Sequence, residues 1–273
     1  MRKIAAAGAL ALAVTLTGCG NIGTEGQALF GDTQELVRVA SGKTQEVSSA
    51  KYTFEMSMLG QQFTGSGQGR FGQADVAMSM TMQVMGQTME MRVVDRVMYM
   101  KLPPGAGASD KPWVKVSADG TDPMSKSIGE MLDMSAKQSD PRKMLEYVQQ
   151  AGTITRSEKT QLDGQEVSHY WIDIDMAKAG DQLPPGMTKD MFEQMKGKLG
   201  VVPMELWLNG DQLPVQVTMD LSSVMKAALE QQGMSPDQAG GGGKMTMKFS
   251  EWGAPVTVEA PPAAEVGEFK MPR

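Results

Sequence analysis

An apolar residue at every second position, most often methionine, recurs along most of this chain and limits the folds open to it. In "KYTFEMSML", Tyr52, Phe54, Met56 and Met58 alternate with Thr53, Glu55 and Ser57. In "DVAMSMTMQVMG", Val76, Met78, Met80, Met82 and Val84 alternate with Ala77, Ser79, Thr81 and Gln83. In "QTMEMRVVDRVMYMKL", Met89, Met91 and Val93 share a face, Asp95-Arg96 reads as a tight turn, and Met98, Met100 and Leu102 follow. Later come Met204, Leu206 and Leu208, then Val215, Val217 and Met219, then Met245, Met247 and Phe249. Period two means strand, because successive side chains point to opposite faces. One face is apolar and the other carries Ser, Thr, Gln, Lys and Glu. That is an antiparallel sheet with one solvated side.

"QQFTGSGQGRFG" lies between the first two of these stretches, with glycines at 65, 67, 69 and 72. A dinucleotide loop must follow a strand and open a helix. With alternating strands on both sides, these glycines instead imply sharp bending or close backbone approach within a sheet. "GGGGK" at 240–244 lacks the Walker A spacing and reads as a connection. Asp163-Gly164 is a two-residue hairpin turn between "TITRSEKTQLDG" and "QEVSHYWIDID". Helices are few. Leu36, Val37, Val39 and Ala40 predict one leading into the first strand. Ile128, Met131 and Leu132 predict a short one. Ser139-Asp140-Pro141 starts another that carries Met144, Leu145 and Val148 and ends at Gly152. Thr188 caps a helix with Met191, Phe192, Met195 and Leu199, and Leu221, Val224, Met225, Ala228 and Leu229 form a last stripe ending at Gly233. The expected order is helix, about five strands, helices, two strands, helix, two strands, helix, and a last strand or two. This is an α+β domain, one large antiparallel sheet with helices on its apolar face.

The N-terminus adds a second constraint. Arg2 and Lys3 precede an apolar run from Ile4 to Leu16, too short to span a bilayer and the right size for a secretory signal. Leu16-Thr17-Gly18-Cys19 follows, with the only cysteine of the chain. The tetrapeptide resembles the bacterial lipobox, which implies cleavage before Cys19 and acylation of its sulfur. The expected organisation is a signal peptide at 1–18, a lipid-anchored flexible tether at 19–33, and one domain at 34–273. The expected location is the outer face of the cell membrane, reached by export and held by lipid. One acyl chain binds a membrane only marginally and two hold firmly.

Removing Arg2 and Lys3 leaves 24 basic against 32 acidic residues, a net charge of −8. An acidic surface argues against nucleic acid as a partner and leaves membrane attachment to the anchor. No catalytic constellation is visible, so the chain is expected not to be an enzyme. His169, the one histidine, has parity opposite to Tyr170, Ile172 and Ile174, so it faces outward or covers a sheet edge. It has no nucleophile partner for a triad. Asp173 and Asp175 are spaced like a calcium loop, but Ala177 and Lys178 stand where that loop needs a ligand and a glycine. No metal site and no cofactor are expected.

The 26 methionines, against 7 Phe, 4 Tyr and 4 Trp, are the remaining question. Methionine fills irregular space without fixing one shape. The plain reading is a core packed on the helices. The sharper one is a cavity whose adaptable lining accepts acyl chains, with Phe54, Met56, Met58, Met78, Met80, Met82, Met89, Met91, Met98, Met100, Met204, Leu206, Met219, Met245 and Met247 as wall.

"LTGC", "VSSAKYTFEM", "GSGQGRF", "VAMSMTM", "VSHYWIDID", "MELWLNGDQLPVQVTMDL" and "APVTVEAPPAAEV" together resemble the actinobacterial envelope lipoproteins of the LppX and LprG type, similar in fold to the lipoprotein carrier LolA. The resemblance covers most of 34–266. It implies a half-barrel, a large curved sheet wrapped around a few helices, enclosing a cavity for acylated lipid or glycolipid that the protein carries or presents across the envelope. Only Cys19 carries over as a matched functional position, and methionine here replaces the branched aliphatics usual in the family's cavity. The partners expected are an acylated lipid or glycolipid, the membrane through Cys19, and an envelope transporter of unknown identity. The alternative is a scaffold or sensor lipoprotein without a cavity, acting through its polar face on another envelope protein.

Overall fold

The computed structural model describes residues 29–58, 60–71, 76–84, 86–95, 97–101, 110–117, 141–178, 200–231, 233–235 and 243–268. Cys19, the signal, nearly all of the tether, and the helices expected around Met131 and after Thr188 lie outside these residues. Helix α1 spans Thr33–Val47. Strands β1 (Ser49–Met58), β2 (Gln61–Phe71), β3 (Val76–Val84), β4 (Gln87–Val94), β5 (Val97–Lys101) and β6 (Trp113–Ser117) follow. Then come α2 (Pro141–Ala151), β7 (Gly152–Leu162), β8 (Gln165–Asp175), β9 (Val201–Leu208), β10 (Pro214–Asp220), α3 (Ser222–Gln231), β11 (Lys244–Ser250) and β12 (Val266–Glu268). All twelve strands form one unclosed sheet in the order β12-β6-β5-β4-β3-β2-β1-β11-β10-β9-β8-β7. Every pairing is antiparallel except β12 with β6. The expected fold class therefore stands: a large open antiparallel sheet with helices on one face.

Local chemistry explains the elements. The Asp32 carboxylate accepts a hydrogen bond from Glu35 N at 2.8 Å and caps α1, which ends where Ser48 turns left-handed at φ 56°. Leu36, Val37, Ala40 and Thr44 are its buried stripe. The β7–β8 hairpin turns at Asp163 and Gly164, both at positive φ, as a type I′ turn requires. "QQFTGSGQGRFG" is itself a strand, β2, hydrogen-bonded on both sides. Its glycines answer the close-approach expectation. A Cβ on Gly65 would stand 2.4 Å from the Phe54 ring, and one on Gly67 2.5 Å from the Tyr52 ring. The two aromatic side chains of β1 thus lie across the bare backbone of β2.

Among the described residues, the helices lie against the β7–β9 end of the sheet. α1 and α2 pack against each other and on β7, α2 also touches β8, and α3 touches β9. Thr33 Oγ1 donates to Gly152 O at 3.3 Å and Phe30 N to the Tyr170 hydroxyl at 3.2 Å. Leu36, Leu145, Tyr170, Ile174, Leu206 and Leu208 are fully buried there. Gly42 sits in the exposed interior of α1 with open space around its Cα. Gly42→Ala is expected to stabilise the fold by about 0.5–1 kcal/mol, a rise of about 1–4 °C in melting temperature by differential scanning calorimetry.

Two features differ from the sequence reading. Among the described residues six strands, not about five, precede α2, the extra one being Trp113–Ser117. It was missed because "PWVKVS" is a short run surrounded by Gly and Pro signals. The C-terminal segment 254–262 is not a simple return to the sheet edge. It crosses the outer face as an extended strap before β12 pairs with β6. Arg70 donates to Val256 O at 2.7 Å, Gln68 to Thr257 O at 3.2 Å and Arg92 to Glu259 O at 3.2 Å. Val256 and Val258 are buried on Ala77.

Candidate functional site

Strand register decides whether the predicted wall is one surface, since residues paired directly across strands share a face. Tyr170, Leu206, Val217, Met247, Phe54, Gly65, Met82 and Met89 form one continuous row across eight strands. Ile154, Ile172, Met204, Met219, Met245, Met56 and Phe63 form the next row towards one end. Towards the other end run Phe249, Tyr52, Gly67, Met80, Met91, Met100 and Val114. Beyond them lie Ala50, Gly69, Met78, Val93, Met98 and Val116. The sheet thus brings the predicted wall residues onto its inner, helix-bearing face. Met58 is the last residue of β1, and its side chain lies outside the described set.

Burial divides that face. Met78, Met98, Met204, Leu206 and Met219 are buried in clusters of packed core. Phe54, Met56, Met80, Met82, Met89, Met91, Met100, Met245 and Met247 are half-buried. The half-buried set is concentrated on β1, β3, β4, β5 and β11, away from the strands that α1, α2 and α3 touch. Phe54, Met80, Met245 and Met247 pack against the main core cluster and Met91 and Met100 against Val93 and Met98, and each of these side chains keeps part of its apolar surface uncovered by the described residues. One polar atom stands among them. The Tyr52 hydroxyl, on a side chain 6 % exposed, has no hydrogen-bond partner among the described residues. Burial pushes its pKa up, so it stays a neutral donor.

The outer face is different in chemistry. Two depressions of about 330 and 350 Å³ lie there. The first is lined by Gln68, Ser79, Thr81, Glu90 and Arg92 with Thr257 and Glu259 of the strap. Met80, Met91 and Val258 also border the first, and the second is lined by Lys51, Tyr52, Thr53, Ser66, Gly67, Gln68, Ser79, Thr81 and Ser250; neither is an enclosed apolar cavity. Arg92 lies over the Trp113 ring at 4.7 Å, with Lys101 at 5.8 Å.

His169 also lies on this face, as its parity predicted, but it is buried rather than solvated. Its ring is stacked against Trp207 at 4.1 Å and tilted on Trp171 at 3.6 Å. Its Nε2 is 2.8 Å from Glu205 Oε2. Arg156 covers the far side of Trp171 at 4.3 Å, and Glu158 is the cross-strand partner of His169 on β7. Sequence parity found the face; the sandwich needed the register of β8 on β9, which sets His169 opposite Trp207. Burial lowers the His169 pKa below its ordinary 6.5, outweighing the Glu205 hydrogen bond that raises it. The unfolded chain then binds the proton more readily. The stabilisation by His169 is complete above about pH 6.5 and is lost as pH falls through the lower folded value. Unfolding midpoints followed by tryptophan fluorescence are expected to drop below about pH 6.5, and His169→Gln removes that part of the slope.

Among the described residues no group of three His, Cys, Asp or Glu side chains is placed to hold a metal ion, and no helix is long and apolar enough to cross a membrane. Asp175 pairs with Lys178 at 3.2 Å and accepts from Ala177 N at 3.0 Å, which draws its pKa down. These bonds fasten the end of β8.

No family model matches the chain, and no curated protein matches it. Several solved structures are similar. LprF from Mycobacterium bovis, of the LppX/LprG type, shares 20% identity at a TM-score of 0.49, covering 84% of this chain and 96% of LprF. MucB in the Pseudomonas aeruginosa MucA/MucB complex shares 11% at a TM-score of 0.35, covering 82% of this chain and 58% of the other. A LolA superfamily protein from Nitrosomonas europaea shares 8% at a TM-score of 0.27, covering 81% of this chain and 92% of the other.

Proposed function

We propose that this chain is a non-enzymatic envelope lipoprotein that shelters acyl chains of a lipid or glycolipid on the inner face of its sheet. The observation that carries this reading is the in-register band of half-buried thioethers and rings, Phe54, Met80, Met82, Met89 and Met91 among them. Thioether side chains adapt to ligands of varied length. The energetics suffice: at about 0.8 kcal/mol per buried CH₂, a sixteen-carbon chain gains roughly 13 kcal/mol before entropic costs. Export and acylation of Cys19 belong to the same proposal, with 1–18 removed, 19–33 as tether and 34–273 as the binding unit. The lipid would be carried or presented at the outer face of the membrane. The scaffold reading is favoured by one thing only, the polar outer face with its strap and its Trp-His-Trp stack.

Saturable uptake of a fluorescent diacyl lipid by the delipidated protein tests the binding reading; absence of uptake contradicts it. Tyr52 refines the test. A buried hydroxyl without a partner costs about 1–3 kcal/mol. Tyr52→Phe is therefore expected to raise the melting temperature of the empty protein, while weakening the binding of ester lipids relative to a plain fatty chain.

A further inference from the structure

We propose that Met80, Met82, Met89 and Met91 form a binding site for a soft monovalent cation, Cu(I). Met80 pairs directly with Met91, and Met82 with Met89, on the adjacent strands β3 and β4. The four therefore make a block on one face. Opposite Cα atoms in an antiparallel pair stand about 4.5–5.5 Å apart, and next-but-one residues on a strand about 7 Å apart, so each Cα lies roughly 4 Å from the middle of the block. A methionine side chain, with three rotatable bonds, reaches that point without backbone movement. All four side chains are half-buried, open enough for an ion to enter and apolar enough to exclude hard cations.

The distribution of residue types supports a use for sulfur here. Strand formation favours β-branched residues over methionine. Ile154, Ile172, Ile174, Leu206 and Val217 supply much of the helix-covered part of the same face. Methionines also stand in a single row on this face, Met204, Met219, Met245 and Met56, but among the described residues β3 and β4 set four half-buried thioethers in two adjacent facing pairs, with Met100 of β5 beside Met91 as a further donor. Thioether donors select Cu(I) over the divalent ions that prefer imidazole and carboxylate. They carry no proton to displace, so binding at this block does not weaken in mild acid as a thiolate or imidazole site does. The site shares its face with the acyl-binding surface but stands apart from that reading, because leucine replaces methionine in lipid packing and not in metal ligation.

The test uses the full chain carrying Cys19→Ala, which removes the one thiol. Cu(I) held reduced by ascorbate is titrated in competition with a chromophoric Cu(I) chelator, and lipid uptake is measured on the same samples. The expected result is one Cu(I) per chain, an all-sulfur shell by X-ray absorption, and affinity unchanged between neutral and mildly acid pH. The Met80→Leu, Met82→Leu, Met89→Leu, Met91→Leu variant is expected to bind Cu(I) at least tenfold more weakly while keeping the near-ultraviolet circular dichroism of the parent. Should the fourfold variant not fold, Met80→Leu with Met91→Leu gives the same comparison. Equal Cu(I) affinity in parent and variant, nitrogen or oxygen in the metal shell, or no binding by the parent overturns the site. Loss of lipid uptake in the parent with Cu(I) binding intact would instead overturn the acyl reading alone.

Discussion

Replacing Met80 and Met82 together by glutamate is expected to abolish lipid retention while leaving the fold intact. Both residues lie on the inner face of β3, between the bare glycines of β2 and the methionines of β4: Gly67 and Met91 flank Met80, and Gly65 and Met89 flank Met82. Both are half-buried, so a carboxylate there reaches water in the empty protein. A bound acyl chain would remove that water. Burying an ionised carboxylate without a partner costs several kcal/mol for each group, which is comparable with the gain from several methylenes. The control is on the same strand. Ser79→Glu with Thr81→Glu adds the same charge to the outer face, where the cross-strand neighbours are Gln68, Arg92, Ser66 and Glu90. The outer pair is expected to keep its full lipid load by organic extraction and mass spectrometry, and the inner pair to lose it. Near-ultraviolet circular dichroism checks that both fold. Equal lipid loads in the two folded variants would contradict the face assignment.

The largest expected loss of stability follows from Gly67→Val. The Tyr52 ring lies over Gly67, and a Cβ there would stand 2.5 Å from the ring and 2.6 Å from Ser79 O. The second contact is with backbone, so a rotamer change of Tyr52 alone does not relieve it. Overpacking of this kind costs about 1–3 kcal/mol, and displacing Tyr52 from its buried position adds to it. The expected fall in melting temperature is roughly 4–12 °C. Gly60→Ala, in a turn with open space around it but at φ 74°, is expected to cost only its backbone strain, about 1–2 kcal/mol. The ranking is the informative result. A Gly67 variant as stable as wild type would mean that Tyr52 does not lie across β2.

Much of this architecture is legible in the sequence because a period of two is a strong local signal. Each alternating stretch announced a strand and its apolar face, and the register then joined those faces into one. Asp163-Gly164 announced its hairpin through the left-handed backbone that both residues adopt. What could not be read is what depends on contacts distant in sequence. The strap is one case: "APVTVEAPPAAEV" looks like a strand end, and Gln68, Arg70, Ala77 and Arg92, more than 160 residues earlier, hold it on the outer face. His169 is another. Parity put it outward, but its burial comes from Trp207 on a separate strand. The split of the methionine face into buried and half-buried parts was equally hidden, because Met78 and Met80 sit in the same pattern and differ only in what lies above them.

The account rests on whether the inner face holds lipid. Native mass spectrometry of the protein purified from an actinobacterial host, before and after organic extraction, tests this most directly. The account predicts a stoichiometric acylated lipid or glycolipid that extraction removes and that added lipid replaces. A protein that arrives empty and stays empty when offered lipid would contradict it, and the methionine face would then be core alone.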